Sequence, residues 1–269
     1  MEKAVLTGAL GFVGFHLCNR LLEEGIDVVA IDEKQSDEQL DYFGRNALFT
    51  FFDGRSKEVP PHDALTDADV CFHLETLSRE EGSVQHTVKR MNRKIRAMIS
   101  AFPETPPFFI VASSTAVYGS QSGEIDESVK PAPNTAFGRI CRAQESLLAD
   151  CGIPLSVLRF PEVYGPGQPA TGSFHRLLRG CDPGRTGDDV LFIDDAAEAL
   201  FLAGHATVPG TFNVASGKPG QWERGKRYIL GESASCTTNG ETCFNIEKAK
   251  AAFGFIPRMG IEEGIDRQK

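Results

Sequence analysis

The strongest constraint on this chain is the stretch Thr7-Gly-Ala-Leu-Gly-Phe-Val-Gly14, which joins a short apolar run at residues 4–7 to a pattern of helical period over residues 12–24. It predicts strand, tight turn and helix, the opening of a β-α-β unit. Gly8, Gly11 and Gly14 put no β-carbon between the backbone and an approaching diphosphate. The helix opening at Phe12 and Val13 offers that anion free N–H groups and the positive end of its dipole. A dinucleotide belongs in such a seat. A second β-rich run, residues 27–31, ends in Asp32, whose carboxylate can accept hydrogen bonds from both hydroxyls of a ribose and repels a 2′-phosphate. NAD is therefore expected over NADP. The plainer alternative is an ordinary strand-to-helix turn followed by a surface aspartate.

With 269 residues, 41% of them hydrophobic, the chain can bury a substantial core as one domain or as a large domain with a small C-terminal lobe. A net charge of -9 without basic runs argues against nucleic acid as a partner, since such binding draws on Lys and Arg contacts to phosphates. No apolar stretch approaches the ~20 residues of a membrane helix, and Met1-Glu2-Lys3 passes straight into a strand, so a cytoplasmic protein is expected. Seven irregularly spaced cysteines without a Cys-x-x-Cys pair read as reduced thiols and not as a metal site.

Beyond Asp32 a third strand is expected over residues 47–52, ending at Asp53, which either faces an adenine amino group or is a turn residue beside Gly54. A buried strand over 70–74, a long amphipathic helix over 83–102 and a strand over 108–112 follow, the last closing on Ser113, Ser114 and Thr115. Hydroxyls at a strand's carboxyl end point into the site. A helix over 135–151 and a strand over 155–159 complete an alternation that predicts right-handed parallel crossovers with helices on both faces of one sheet. Residues 163–168 read as a turn-rich connection, 174–179 as a short helix, 190–193 as a strand, 196–203 as a helix and 211–214 as a final strand. The glycine-bearing segment 216–243 reads as irregular and mobile, and 246–253 as a closing helix.

Taken together, Thr7–Gly14, Phe72-His-Leu74, Ser113-Ser-Thr-Ala-Val-Tyr-Gly119, Leu158-Arg159, Val163-Tyr-Gly-Pro166, Phe192-Ile-Asp-Asp195 and Asn213-Val-Ala-Ser-Gly217 make the chain resemble the extended short-chain dehydrogenase/reductases, specifically their NAD-dependent epimerase/dehydratase branch. The resemblance implies a Rossmann-type doubly wound parallel sheet over residues 1–160. It also implies a smaller substrate lobe over 161–269, interleaved with the first. NAD would be held by Gly8, Gly11, Phe12, Val13, Gly14, Asp32, Asp53 and Leu74, and a sugar nucleotide would lie beside Thr115, Tyr118, Glu162 and Tyr164. A homodimer or a partner enzyme is a further implication, the family often pairing through helices that include the one over 83–102.

In this family a Tyr and a Lys four residues later share one helix face and move a proton beside a Ser or Thr while hydride passes to or from NAD. The corresponding stretch here is Phe137-Gly-Arg-Ile-Cys141, so that only Ser114 remains of the set. Glu162 stands where epimerases usually carry Asn, and Asp188-Asp189 stand near the place of a phosphate-binding Arg, so a diphosphate loses a cation and meets anions. The leading expectation is a protein impaired in family chemistry that keeps its NAD seat and serves a regulatory or accessory role. The alternative is an active enzyme in which Tyr118 or Tyr164 supplies the phenol and Arg139, Arg142 or Lys130 the positive charge.

Overall fold

The computed structural model describes residues 1–33, 37–54, 60–75, 83–103, 105–184, 189–232 and 242–269. The first elements are β1 (Lys3–Thr7), α1 (Phe12–Glu23), β2 (Asp27–Asp32), α2 (Asp37–Phe43), β3 (Phe49–Asp53), α3 (His62–Leu65), β4 (Val70–His73), α4 (Val84–Ala101) and β5 (Phe108–Ser114). A 3₁₀ turn, Thr115–Tyr118, leads to β6 (Glu124–Ile125), α5 (Ala136–Asp150), β7 (Leu155–Phe160), β8 (Glu162–Tyr164) and α6 (Ser173–Leu178). The chain continues through β9 (Val190–Phe192), α7 (Ile193–Ala206), β10 (Gly210–Asn213), α8 (Gln221–Leu230), β11 (Cys243–Phe244), α9 (Glu247–Phe253) and α10 (Ile261–Gln268).

Seven parallel strands form the central sheet in the order β10-β7-β5-β4-β1-β2-β3, the doubly wound arrangement the sequence predicts. Successive side chains of each strand enter opposite cores. Leu6, Val28, Phe72 and Leu158 meet Leu17 and Leu21 of α1 and Leu200 of α7, whereas Val5, Val29, Cys71 and Phe109 meet Met91 and Ile95 of α4 and Leu148 of α5. Burial on both faces is why these strands read as continuous apolar runs. Each such side chain contributes about 1.5–3 kcal/mol on leaving water. In the register, Thr7 lies opposite both Ile31 and His73, so the carboxyl ends of β1, β2 and β4 finish side by side at the glycine turn.

The second half of the chain divides its elements. β10, α7 and α9 join the main sheet and its first core, while α6, α8 and α10 enclose a separate cluster of Tyr164, Phe174, Phe192, Trp222, Ile261 and Ile265. The segment expected to be irregular contains α8, whose buried Trp222 donates from Nε1 to Ser173 Oγ at 2.8 Å. Only Trp222 and Ile229 mark its apolar side, too sparse a stripe to stand out as periodic. Residues 233–241 of that segment lie outside the described residues. The helix expected over 196–203 is longer, running to Ala206, where Thr207 ends it in the left-handed conformation. Among the described residues no helix is long and apolar enough to cross a membrane.

Candidate functional site

The glycine turn has the shape its spacing predicts, and its glycines do different work. Gly8 has φ +73°, a left-handed conformation, and a Cβ there would stand 2.8 Å from the Glu75 nitrogen beyond β4. Gly14, inside α1, lies so near the turn that a Cβ would come 2.0 Å from the Gly8 carbonyl oxygen. At Gly11 an added Cβ meets only that same carbonyl, at 3.2 Å, which leaves its outer side free for close approach of a ligand. Phe12 sets its ring beside Gly167 and edge-on to His16, and Val13 packs into the cores behind the turn. Leu74 is buried in the first core, and its N–H donates to Thr7 O at 3.0 Å, so its backbone and not its side chain stands at the turn.

Asp32 closes β2 with its Oδ2 accepting from Leu10 N–H at 2.8 Å and its Oδ1 from Glu33 N–H at 2.7 Å. One bond fixes the turn and the other the carboxylate. Each oxygen keeps a further lone pair, enough for two ribose hydroxyls. Burial, more than the charges of Glu75 and Glu33, holds this carboxyl above its ordinary value despite the two N–H donors. Asp53 is paired in register with Asp32 at the end of β3.

On the other side of the sheet's carboxyl edge, Ser114 Oγ accepts from Ala116 N–H at 3.2 Å and so caps the 3₁₀ turn that begins at Thr115. Helix α5 starts against this turn, capped by Thr135, and Gly138 is close enough that a Cβ would lie 2.3 Å from Ala116 O. Phe137 and Cys141, one turn apart on α5, join a cluster with Val117, Tyr118, Ala215 and Phe244. Burial, with the Glu145 charge adding to it, pushes the Cys141 thiol up to about 12, so it is a core thiol and no nucleophile near neutral pH.

Two residues expected to line a substrate pocket are instead interior. Tyr118 is fully buried, its hydroxyl donating to Asn213 Oδ1 at 2.7 Å and accepting from Arg159 Nη1 at 2.9 Å. Burial raises its pKa although Arg159 opposes the shift. Tyr164 packs edge-on against Phe174 and Phe192, and burial raises its pKa as well. Neither phenol is open to a ligand. Of the cations considered with them, Arg139 donates to Asn134 O, Arg142 reaches Glu145 at 3.3 Å, and Lys130 is exposed.

The cation that does touch a phenol is Arg159, which sequence reasoning did not single out as functional. It makes a bidentate pair with Glu145 at 2.9 and 2.8 Å, Ser113 Oγ adds a bond to the same carboxylate at 2.7 Å, and the guanidinium lies over the Tyr118 ring at 4.8 Å. The signal was present: an Arg in an otherwise apolar buried strand needs a buried acid, and Glu145 lies one helical turn beyond Cys141.

Glu162 points its Oε1 at the start of α6, accepting from Ser173 N–H at 2.6 Å and from Gln168 Nε2 at 3.2 Å. Asp189 is buried and accepts from Val190 N–H and Ser216 N–H at 2.8 and 2.9 Å, so it fastens β9 to the loop after β10. Asp188 lies outside the described residues. Among those residues no group of His, Cys, Asp and Glu has the arrangement of a metal site.

These features define a Rossmann-type α/β protein with a dinucleotide seat at the carboxyl edge of its sheet and a helical lobe beside it. The sequence model of the NAD dependent epimerase/dehydratase family matches residues 4–215, and the chain belongs to that family. It is 28% identical over 200 residues to YtcB, an uncharacterized UDP-glucose epimerase of Bacillus subtilis (strain 168), a match covering 66% of this chain and 61% of that relative. It is 27% identical over 260 residues to ADP-L-glycero-D-manno-heptose-6-epimerase of Nitratidesulfovibrio vulgaris (strain DP4), covering 81% of this chain and 77% of the relative. Thus the chain spans about three fifths of the first relative's length and about three quarters of the second's. Among solved structures, UDP-glucuronic acid 4-epimerase from Bacillus cereus in complex with NAD shares the fold with a TM-score of 0.84, at 24% identity, over 99% of this chain and 97% of that one.

Proposed function

We propose that this chain binds NAD in the seat formed by Gly8, Gly11, Gly14 and Asp32, but has lost the proton-handling pair of its family and acts as a cofactor-dependent regulatory or accessory protein. The carrying observation is the inner face of α5. At the two positions where the family resemblance expects a phenol and an ammonium, Phe137 and Cys141 pack into an apolar cluster. General acid–base catalysis is commonly worth ~10²–10⁴ in rate, so without it little epimerisation or dehydration remains. The seat fits the cofactor: the backbone is bare where a diphosphate would lie, and Asp32 has oxygens to spare for a ribose. Asp32, with Asp53 beside it in register, disfavours a 2′-phosphate. When bound, NAD supplies a hydride acceptor; the protein orients it and, on this reading, leaves the proton step unserved.

A sugar nucleotide remains the class of small molecule that the second lobe would take by kinship, but Glu162 already occupies the N–H of Ser173. A diphosphate brought there would meet its carboxylate. Free thiols at Cys18, Cys71, Cys141, Cys151, Cys181 and Cys243 suit a cytoplasmic setting, where they stay reduced. The test is calorimetric titration with NAD and NADP, followed by incubation with NAD and a panel of UDP-, dTDP-, GDP- and CDP-sugars. NAD binding without turnover is the expected result. Turnover by the wild-type protein, lost in Tyr118→Phe, would establish the alternative reading of relocated chemistry.

A further inference from the structure

Among the described residues, several carboxylates border the rim of the glycine turn. Glu75 lies two residues beyond β4, its nitrogen 2.8 Å from where a Cβ on Gly8 would stand, so its place at the rim is fixed by the backbone. Asp32 and Glu33 border the same rim at the end of β2. Asp32, Glu33 and Glu75 thus share one rim, and the charges of Glu75 and Glu33 both disfavour charge on Asp32.

Set against them is Lys94, from the middle of α4. Its ammonium contacts Glu75 Oε1 and lies 3.4 Å from Glu33 Oε1. Among the described residues, the ion pairs of Glu33 and Glu75 both run to this one side chain. Lys94 and Glu75 are 35% and 26% exposed, sheltered enough that solvent screens the pair less than an ordinary surface bridge. Burial opposes the charge on Lys94, yet the bonds and attraction from the two carboxylates outweigh it and hold its pKa above the ordinary value.

We propose that Lys94 is a positioning residue for the cofactor: by holding Glu75 and Glu33 it neutralises the rim of the glycine turn, and NAD affinity depends on it although it lies far from the glycine motif in sequence. The proposal rests on the reading that the turn holds NAD. Its test is calorimetric titration of NAD into the wild-type protein and into K94M, K94R, E75A and E75A/K94M, each first shown to be folded by circular dichroism. The expected result is about tenfold or greater weakening in K94M, a deficit that shrinks as salt is raised, while K94R and E75A stay within about threefold of wild type. E75A/K94M should recover most of the loss, because the neutralised charge has gone with its partner. Wild-type binding that K94M leaves unchanged overturns this proposal alone, as does a double variant as weak as K94M, which would mean that the ammonium acts on the ligand itself. Absence of NAD binding by the wild-type protein overturns the cofactor reading and this proposal with it.

Discussion

Glu145 is the residue on which the neighbourhood of the candidate site turns. It accepts four side-chain bonds, from Ser113, Arg142 and twice from Arg159, while itself buried. Glu145→Gln leaves the Arg159 guanidinium buried with a neutral partner, and a loss of about 3–5 kcal/mol is expected, read from the urea midpoint. Cys141, one turn earlier, should resist iodoacetamide at pH 8 in the folded protein while the exposed Cys181 reacts, as peptide masses after timed quenching would show. Rapid labelling of Cys141 would contradict the packing described for it. Individual side chains were the hardest features to anticipate from sequence. Phe137 and Cys141 are placed by the family resemblance, at the positions of its Tyr and Lys, whereas Tyr118 and Tyr164, read as pocket walls or as the phenol of an active site, are interior. Burial is decided by elements distant in sequence: Asn213 and Arg159 for one, Phe174 and Gly264 for the other.

At the scale of elements the glycine turn and α1 act as one piece. Gly14→Ala would drive a methyl group into the Gly8 carbonyl, forcing helix and turn apart. We expect about 1–3 kcal/mol of lost stability together with loss of NAD binding, measured by denaturation and calorimetry on the same preparation. Loss of stability with unchanged binding would show that the seat is formed elsewhere. The strand–helix alternation of the main sheet was legible because doubly buried strands and amphipathic helices leave strong, opposite patterns. Strand ends moved by only a residue or two: β5, for instance, carries the ladder on through Ser113 and Ser114. The elements of the second lobe were not equally legible. α8 and α10 are short, and each shows its neighbours a narrow apolar edge, Trp222 and Ile229 in one, Ile261 and Ile265 in the other. Such helices exist through their packing partners more than through local propensity.

For the whole molecule, a ligand seated across the ends of β1, β2 and β4 joins strand ends up to 66 residues apart, so binding should register as global stability. NAD at a hundredfold excess over its Kd is expected to raise the melting temperature by about 5 °C, and NADP at the same concentration by clearly less, which a thermal-shift comparison would check. Equal shifts would remove the argument from Asp32. The arrangement around α5 carries a further consequence. Because the helix is anchored from beneath by Glu145 and Arg159, the apolar Phe137 and Cys141 on the turns before them add cohesion to its start. The double variant F137Y/C141K would therefore give up packing in this cluster, and whatever reactivity it brings should come in a less robust fold.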